Sequence, residues 1–132
     1  MPVADEEFVL RRIHRNHVDR GPPLMIGLAA FRPTPEDTVG LSVYRENHVS
    51  PADVDASGRK PGEYYVARLS VRHLRDLGLS VIEDEQPQGP AGHALIPELS
   101  LSNYQQDKQK SRELQLQLAE LALQNIVLVP TR

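Results

Sequence analysis

Cysteine is absent from the 132 residues, and so is tryptophan. Without a thiol the chain has no disulfide, no thiolate metal ligand and no cysteine nucleophile, which removes several enzyme classes. Aromatic residues make up only 5% of the chain, so its core must be built mainly from Leu, Val, Ile and Ala. No run approaches the roughly 20 apolar residues of a membrane span. The start, MPVADEEFVLRR, is acidic where a secretory leader needs a basic segment followed by an apolar one. A soluble, cytoplasmic protein without a membrane partner is therefore expected. Charge of one sign is lacking too: the net charge is −3 and basic and acidic residues interleave, so the footprint of a nucleic-acid binder is missing. Glycine-rich phosphate loops of the common types do not occur, because GRKPGE lacks a strand-to-helix setting. No cofactor is expected.

What is present reads as a single α+β domain over residues 1–132, with a polar tail at about 1–6. Its length suffices to bury roughly two-thirds of the unfolded surface. FVLRRI, residues 8–13, predicts a strand, and HRNHVDRGPP a loop. LMIGLAAF, residues 24–31, is apolar throughout and predicts a buried strand with a bulge at Gly27. TPED at residues 34–37 and SPAD at residues 50–53 share one grammar: a hydroxyl N-cap, proline at the first helical position and an acid three residues on. Each predicts a helix start, the first lasting about one turn and the second running to about Ala56. GLSVYRE between them alternates, so Leu41 and Val43 share one face of a strand and Ser42 and Tyr44 the other.

Downstream, YYVARLS predicts a strand and Ser70 caps VRHLRDLG, which Gly78 ends. LSVIED and HALIPEL predict two more strands, the second stopped by Pro97. The crossover between YYVARLS and LSVIED is too short to favour a parallel pair. From Ser102 onward no glycine or proline interrupts a glutamine- and leucine-rich stretch, which predicts one helix of roughly 20 residues. Its second half carries two neighbouring stripes: Leu114, Leu118 and Leu121 on one, Leu116, Ala119 and Leu123 on the other. IVLVP closes the chain as a strand. The expected architecture is α+β, a mostly antiparallel sheet of five or six strands with short helices and one long C-terminal helix.

RRIHRNHV, AFRPTPEDTVGLSVYRENHVSPADV, VARLSVRHLRDLGLSVIEDEQP and HALIPELS together resemble a family of small uncharacterised bacterial proteins sharing an FRPTPxD, LSVY and HALIPEL pattern. The resemblance spans about residues 9–115; the leucine-rich end of the helix and NIVLVPTR depart from it. It implies one compact bacterial domain and transfers no catalytic residue.

Five histidines are the first candidates for chemistry. His14, His17, His48 and His93 with Asp37 are the conceivable ligands of a zinc or iron ion, but a three-residue spacing on a strand or loop fixes no geometry. No metal site is expected. His93 is read as opening a strand while hydrogen-bonding backbone. HRNH lacks the surroundings of an HNH nuclease, no serine stands in a G-x-S-x-G frame, and a helix cap already explains Ser70 beside His73.

Two function classes remain. The first is a small bacterial interaction or accessory protein without catalysis. It associates with a protein partner or itself through the C-terminal helix, with Leu116 and Leu123 as contacts and Arg32 and Ser42 as further binding residues. The second, an ADP-ribosyltransferase-like enzyme or a catalytically inactive relative of one, comes from the order of elements, which resembles the ADP-ribosyltransferase fold. That resemblance implies that Arg12 holds a dinucleotide phosphate or ribose. It also implies that Ser42 and Tyr44 shape a nicotinamide pocket and that Glu98 orients the attacked ribose hydroxyl.

Overall fold

The computed structural model of the chain describes residues 2–132. Six strands form one sheet in the order β6-β7-β4-β1-β5-β8, every neighbouring pair antiparallel. They are β1 (Phe8–His14), β4 (Leu41–Arg45), β5 (Tyr64–Ser70), β6 (Ile82–Glu83), β7 (His93–Ile96) and β8 (Ile126–Leu128). A small separate ladder pairs β2 (Val18–Asp19) with β3 (Met25–Ile26). The helices are α1 (Pro51–Ala56), α2 (Val71–Asp76), α3 (Leu101–Gln106) and α4 (Lys108–Leu123). The architecture is α+β, as the residue pattern predicts.

Strand alternation divides the sheet into two unlike faces. One carries Val9, Ile13, Leu41, Val43, Ala67, Leu69, Ala94 and Ile96, all buried with α2, α4 and the turn at Phe31 in the main core. The other carries Leu10 and Val66, which with Val54 of α1 make a small second core flanked by Tyr44 and Leu128. Among the described residues, the six-residue α1 is the one helix that covers this second face, so much of it stays open.

The caps at α1 and α2 form as expected: Ser50 accepts from Asp53 N–H and Ser70 from His73 N–H. TPED does not start a helix. Its cap is built, with Thr34 N and Oγ1 both donating to Asp37 Oδ2 at 2.7 and 3.0 Å. The Asp37 carbonyl, however, accepts from Leu101 N–H at 2.9 Å instead of a residue one turn on, and the segment remains a turn. Gly40 then brings the chain against β7 at φ +143°, where a Cβ would lie 2.7 Å from the Ile96 oxygen.

Other expectations are corrected similarly. LMIGLAAF is a strand only at Met25–Ile26; Leu28–Phe31 winds into a 3₁₀ turn that buries Ala30 and Phe31. Apolar runs of this length carry no period to separate the two. HRNHVDRGPP is a 3₁₀ turn at Arg15–His17 leading into β2. LSVIED pairs only through β6. The single long helix breaks at Asp107, which leaves helical geometry at φ −146° and ψ 84° and caps Lys110 N–H with its own carboxylate. The N-terminal segment docks rather than trailing, because Val3 is buried and its N–H reaches the Val81 carbonyl at 2.9 Å.

Candidate functional site

The β1–β4 ladder pairs Val9 with Arg45 and Leu10 with Tyr44 and goes no further. Beyond that point the Arg11 guanidinium bridges the parted strands, donating to the Ser42 carbonyl at 2.8 Å and the Ala30 carbonyl at 3.0 Å. Its Nε is buried without a partner. Burial lowers the Arg11 pKa to about 10, with nearby Asp37 working the other way, so the group stays charged at neutral pH.

The parted strands leave a cavity of about 210 Å³ walled by Arg11, Arg12, His17, Arg32, Ser42 and Tyr44, among others. Among the described residues no carboxylate lines it. Asp37 nearby is taken by Thr34, and Glu63 by His14 and Arg15. Arg12 donates to the Val54 carbonyl at 3.0 Å and to Ser57 Oγ at 2.8 Å, bonding the C-terminal end of α1, where cations are favoured. Its guanidinium lies 5.3 Å from the Tyr64 ring centre and 5.9 Å from that of Tyr44. Arg32 is exposed over the Tyr104 ring at 5.9 Å and makes no ion pair among the described residues. The His17 pKa is lowered, first by burial and then by the charges of His14, Arg11 and Arg32. The cavity's field is therefore positive.

A second cavity, of about 340 Å³, adjoins the first and shares Ser42 and Tyr44 with it. Here β4 and β7 run in register, Ser42 opposite Leu95 and Tyr44 opposite His93, which sets His93 diagonally beside Ser42 on the open face. His93 Nε2 is 3.0 Å from Ser42 Oγ, and Nδ1 is 2.8 Å from the Asp84 carbonyl and 3.1 Å from Asp84 Oδ2. Nδ1 faces only acceptors, so the hydrogen-bond network assigns it the proton and leaves Nε2 to accept from the Ser42 hydroxyl. The Tyr44 ring packs edge-on against His93 at 5.4 Å.

Arg12, Arg32, Ser42 and Tyr44 are thus brought together. Glu98 is not: it lines a separate depression with Leu77, Leu79 and Leu114, and its carboxylate is taken by the Ser80 N–H and hydroxyl, both at 2.8 Å. ADP-ribosyl transfer by Arg12, Tyr44 and Glu98 has no common cleft to occur in. On α4, Leu116 is 52% exposed, whereas Leu123 packs half-buried against the main core. Asp84 and the pairing of His93 with Ser42 are what sequence reasoning missed, and His17 stood out there only as a conceivable metal ligand. The usable signal was slight: two open-face patterns, Ser42-x-Tyr44 and His93-x-Leu95, which meet only once β4 is paired with β7.

Among the described residues no three His, Asp or Glu side chains gather as metal ligands, and no helix is long and apolar enough to cross a membrane. No family model, curated protein or solved structure matches the chain.

Proposed function

We propose that the chain is a binding protein whose open sheet face takes a small anionic ligand, a phosphate or carboxylate compound, between Arg12, Arg32 and His17. One observation carries this reading: three guanidinium groups and two imidazoles, of His14 and His17, wall one cavity that no carboxylate lines among the described residues. Guanidinium donors suit such oxygens in geometry as well as charge, and Arg32 has no acidic partner to give up on binding. Isothermal titration with inorganic phosphate and with succinate tests the reading. Heat of binding that disappears in Arg32→Ala supports it, and absence of binding of both anions at millimolar concentration overturns it.

A second reading, self-association through the outer side of α4, is favoured by exposed Leu116, which with Leu28 lines a shallow depression of about 410 Å³. Light scattering across a concentration series tests it. A dimer that Leu116→Lys dissolves supports it, and a monomer at every concentration rules it out.

A further inference from the structure

We propose that Ser42 is a nucleophile activated by His93 and oriented through Asp84, and that the cleft hydrolyses carboxylic esters bearing an anionic group. The preference for an anionic ester rests on the cationic cavity proposed above; the nucleophile does not.

Three observations lead here. His93 Nε2 lies 3.0 Å from Ser42 Oγ, and His93 Nδ1 is hydrogen-bonded to the Asp84 carbonyl at 2.8 Å with the Asp84 carboxylate in contact at 3.1 Å. Those are the contacts that a hydroxyl nucleophile, its general base and an orienting acid require. The cluster opens on solvent-accessible space rather than on the core, since all three residues line the larger cavity. Ser42 also lines the cationic cavity, so a substrate anchored at Arg12 and Arg32 presents its carbonyl beside the hydroxyl. His93 is well placed to act as base because its ring is held on three sides: by Asp84, by Ser42 and by the Tyr44 ring edge.

The step balances without an added oxidant or reductant. Ser42 Oγ attacks the ester carbonyl carbon while its proton passes to His93 Nε2, forming a tetrahedral oxyanion. The Tyr44 hydroxyl, on the wall of the same cavity, is the donor available to that oxyanion. The bond from carbon to the alkoxy oxygen then breaks, and the alcohol leaves with the proton from Nε2. Water attacks the acyl-serine, giving a proton to Nε2. The bond between the acyl carbon and Oγ breaks, Ser42 recovers its proton, and the carboxylic product departs ionised. Asp84 is a positioning residue: it touches His93 and not the substrate.

The test uses the full chain. A neutral alkyl fluorophosphonate, followed by peptide mass mapping, should leave its adduct on Ser42, and Ser42→Ala should carry none. p-Nitrophenyl succinate should be hydrolysed faster than p-nitrophenyl butyrate, with a roughly 10²- to 10⁴-fold loss of rate in His93→Gln. Asp84→Asn should lower kcat while KM stays put, a split that a merely structural contact would not produce. Circular dichroism checks that each variant is folded. Should Ser42→Ala unfold, Ser42→Cys keeps the side-chain size, and iodoacetamide should alkylate its sulfur faster with His93 present than in His93→Gln. Absence of a Ser42 adduct on the folded chain, together with no Ser42-dependent hydrolysis of either ester, overturns the proposal. An adduct with equal rates on the two esters supports the nucleophile but overturns the substrate class and the cationic-cavity reading beneath it.

Discussion

The two faces of one sheet obey different rules in this chain. The face under α2 and α4 is closed by aliphatic side chains and Phe31, and Leu41, Val43, Ala94 and Ile96 on it are wholly buried. The face under α1 carries half-buried Ser42, Tyr44 and His93 from the same two strands, alternating residue by residue with that core. A single register shift would exchange them. The buried face therefore locks the register, and the register is what delivers Ser42 and His93 to the cleft. Stability sits on one side of the sheet and chemistry on the other, joined by the strand period.

That division can be broken by substitution, and the largest effect is expected on the closed face. Phe31→Ala should cost about 3–5 kcal/mol in urea unfolding, because the side chain is wholly buried. Ser42→Ala on the open face should cost no more than about 1.5 kcal/mol, the worth of one hydrogen bond. Equal losses would erase the contrast between the faces.

One residue on the closed side departs from its rule. Gln115 of α4 is fully buried, its Nε2 donates to Ser111 Oγ at 3.2 Å, and its Oε1 has no partner. Gln115→Met should raise stability by about 1–3 kcal/mol by removing that orphaned acceptor. A loss instead would mean that the amide is satisfied in solution. Smaller again, Asp107→Ala should cost about 1 kcal/mol through the lost cap of α4, seen as reduced helical ellipticity.

The least effect, and the one specific to the cleft, is a pH dependence. His17 binds its proton less readily in the folded chain than in the unfolded one, so its contribution to stability is complete above its ordinary value of 6.5. That contribution falls as pH drops from there through the lower folded value. Glu7, held below its ordinary value by Arg45, and Glu63, held down by His14, lose their contributions only below about 4.5, so the windows separate. Thermal melts at stepped pH should show the upper window vanish in His17→Asn. Phosphate should narrow it, because a bound anion offsets the repulsion from His14, Arg11 and Arg32 that holds the proton off.

Much of the local structure was legible. Ser50 and Ser70 cap their helices because a hydroxyl, an open first turn and a following apolar residue suffice. The alternation of β4 and the stop at Pro97 were equally readable. Thr34 shows where such reading ends: the same capping grammar made its hydrogen bonds, yet a tertiary partner, Leu101 N–H, took the carbonyl on which a helix would have grown. Asp107 shows the reverse: its capping carboxylate breaks a stretch of strong helix formers that reads in sequence as one uninterrupted helix.

The candidate site was legible only in part. Arg32, Ser42 and Tyr44 stand out as residues that capping leaves unexplained, and all three do wall the cavity. Arg11 looks in sequence like any other strand arginine; only the parting of β1 from β4 turns it into the bridge that holds the cavity open. By itself the sequence determined the capped helix starts, the strand alternation and the apolar residues that close one face, because these depend on neighbours within a turn or a strand period. Only the tertiary structure decided that Ser42, Asp84 and His93 meet, since residues 51 positions apart are joined by strand pairing and by nothing local.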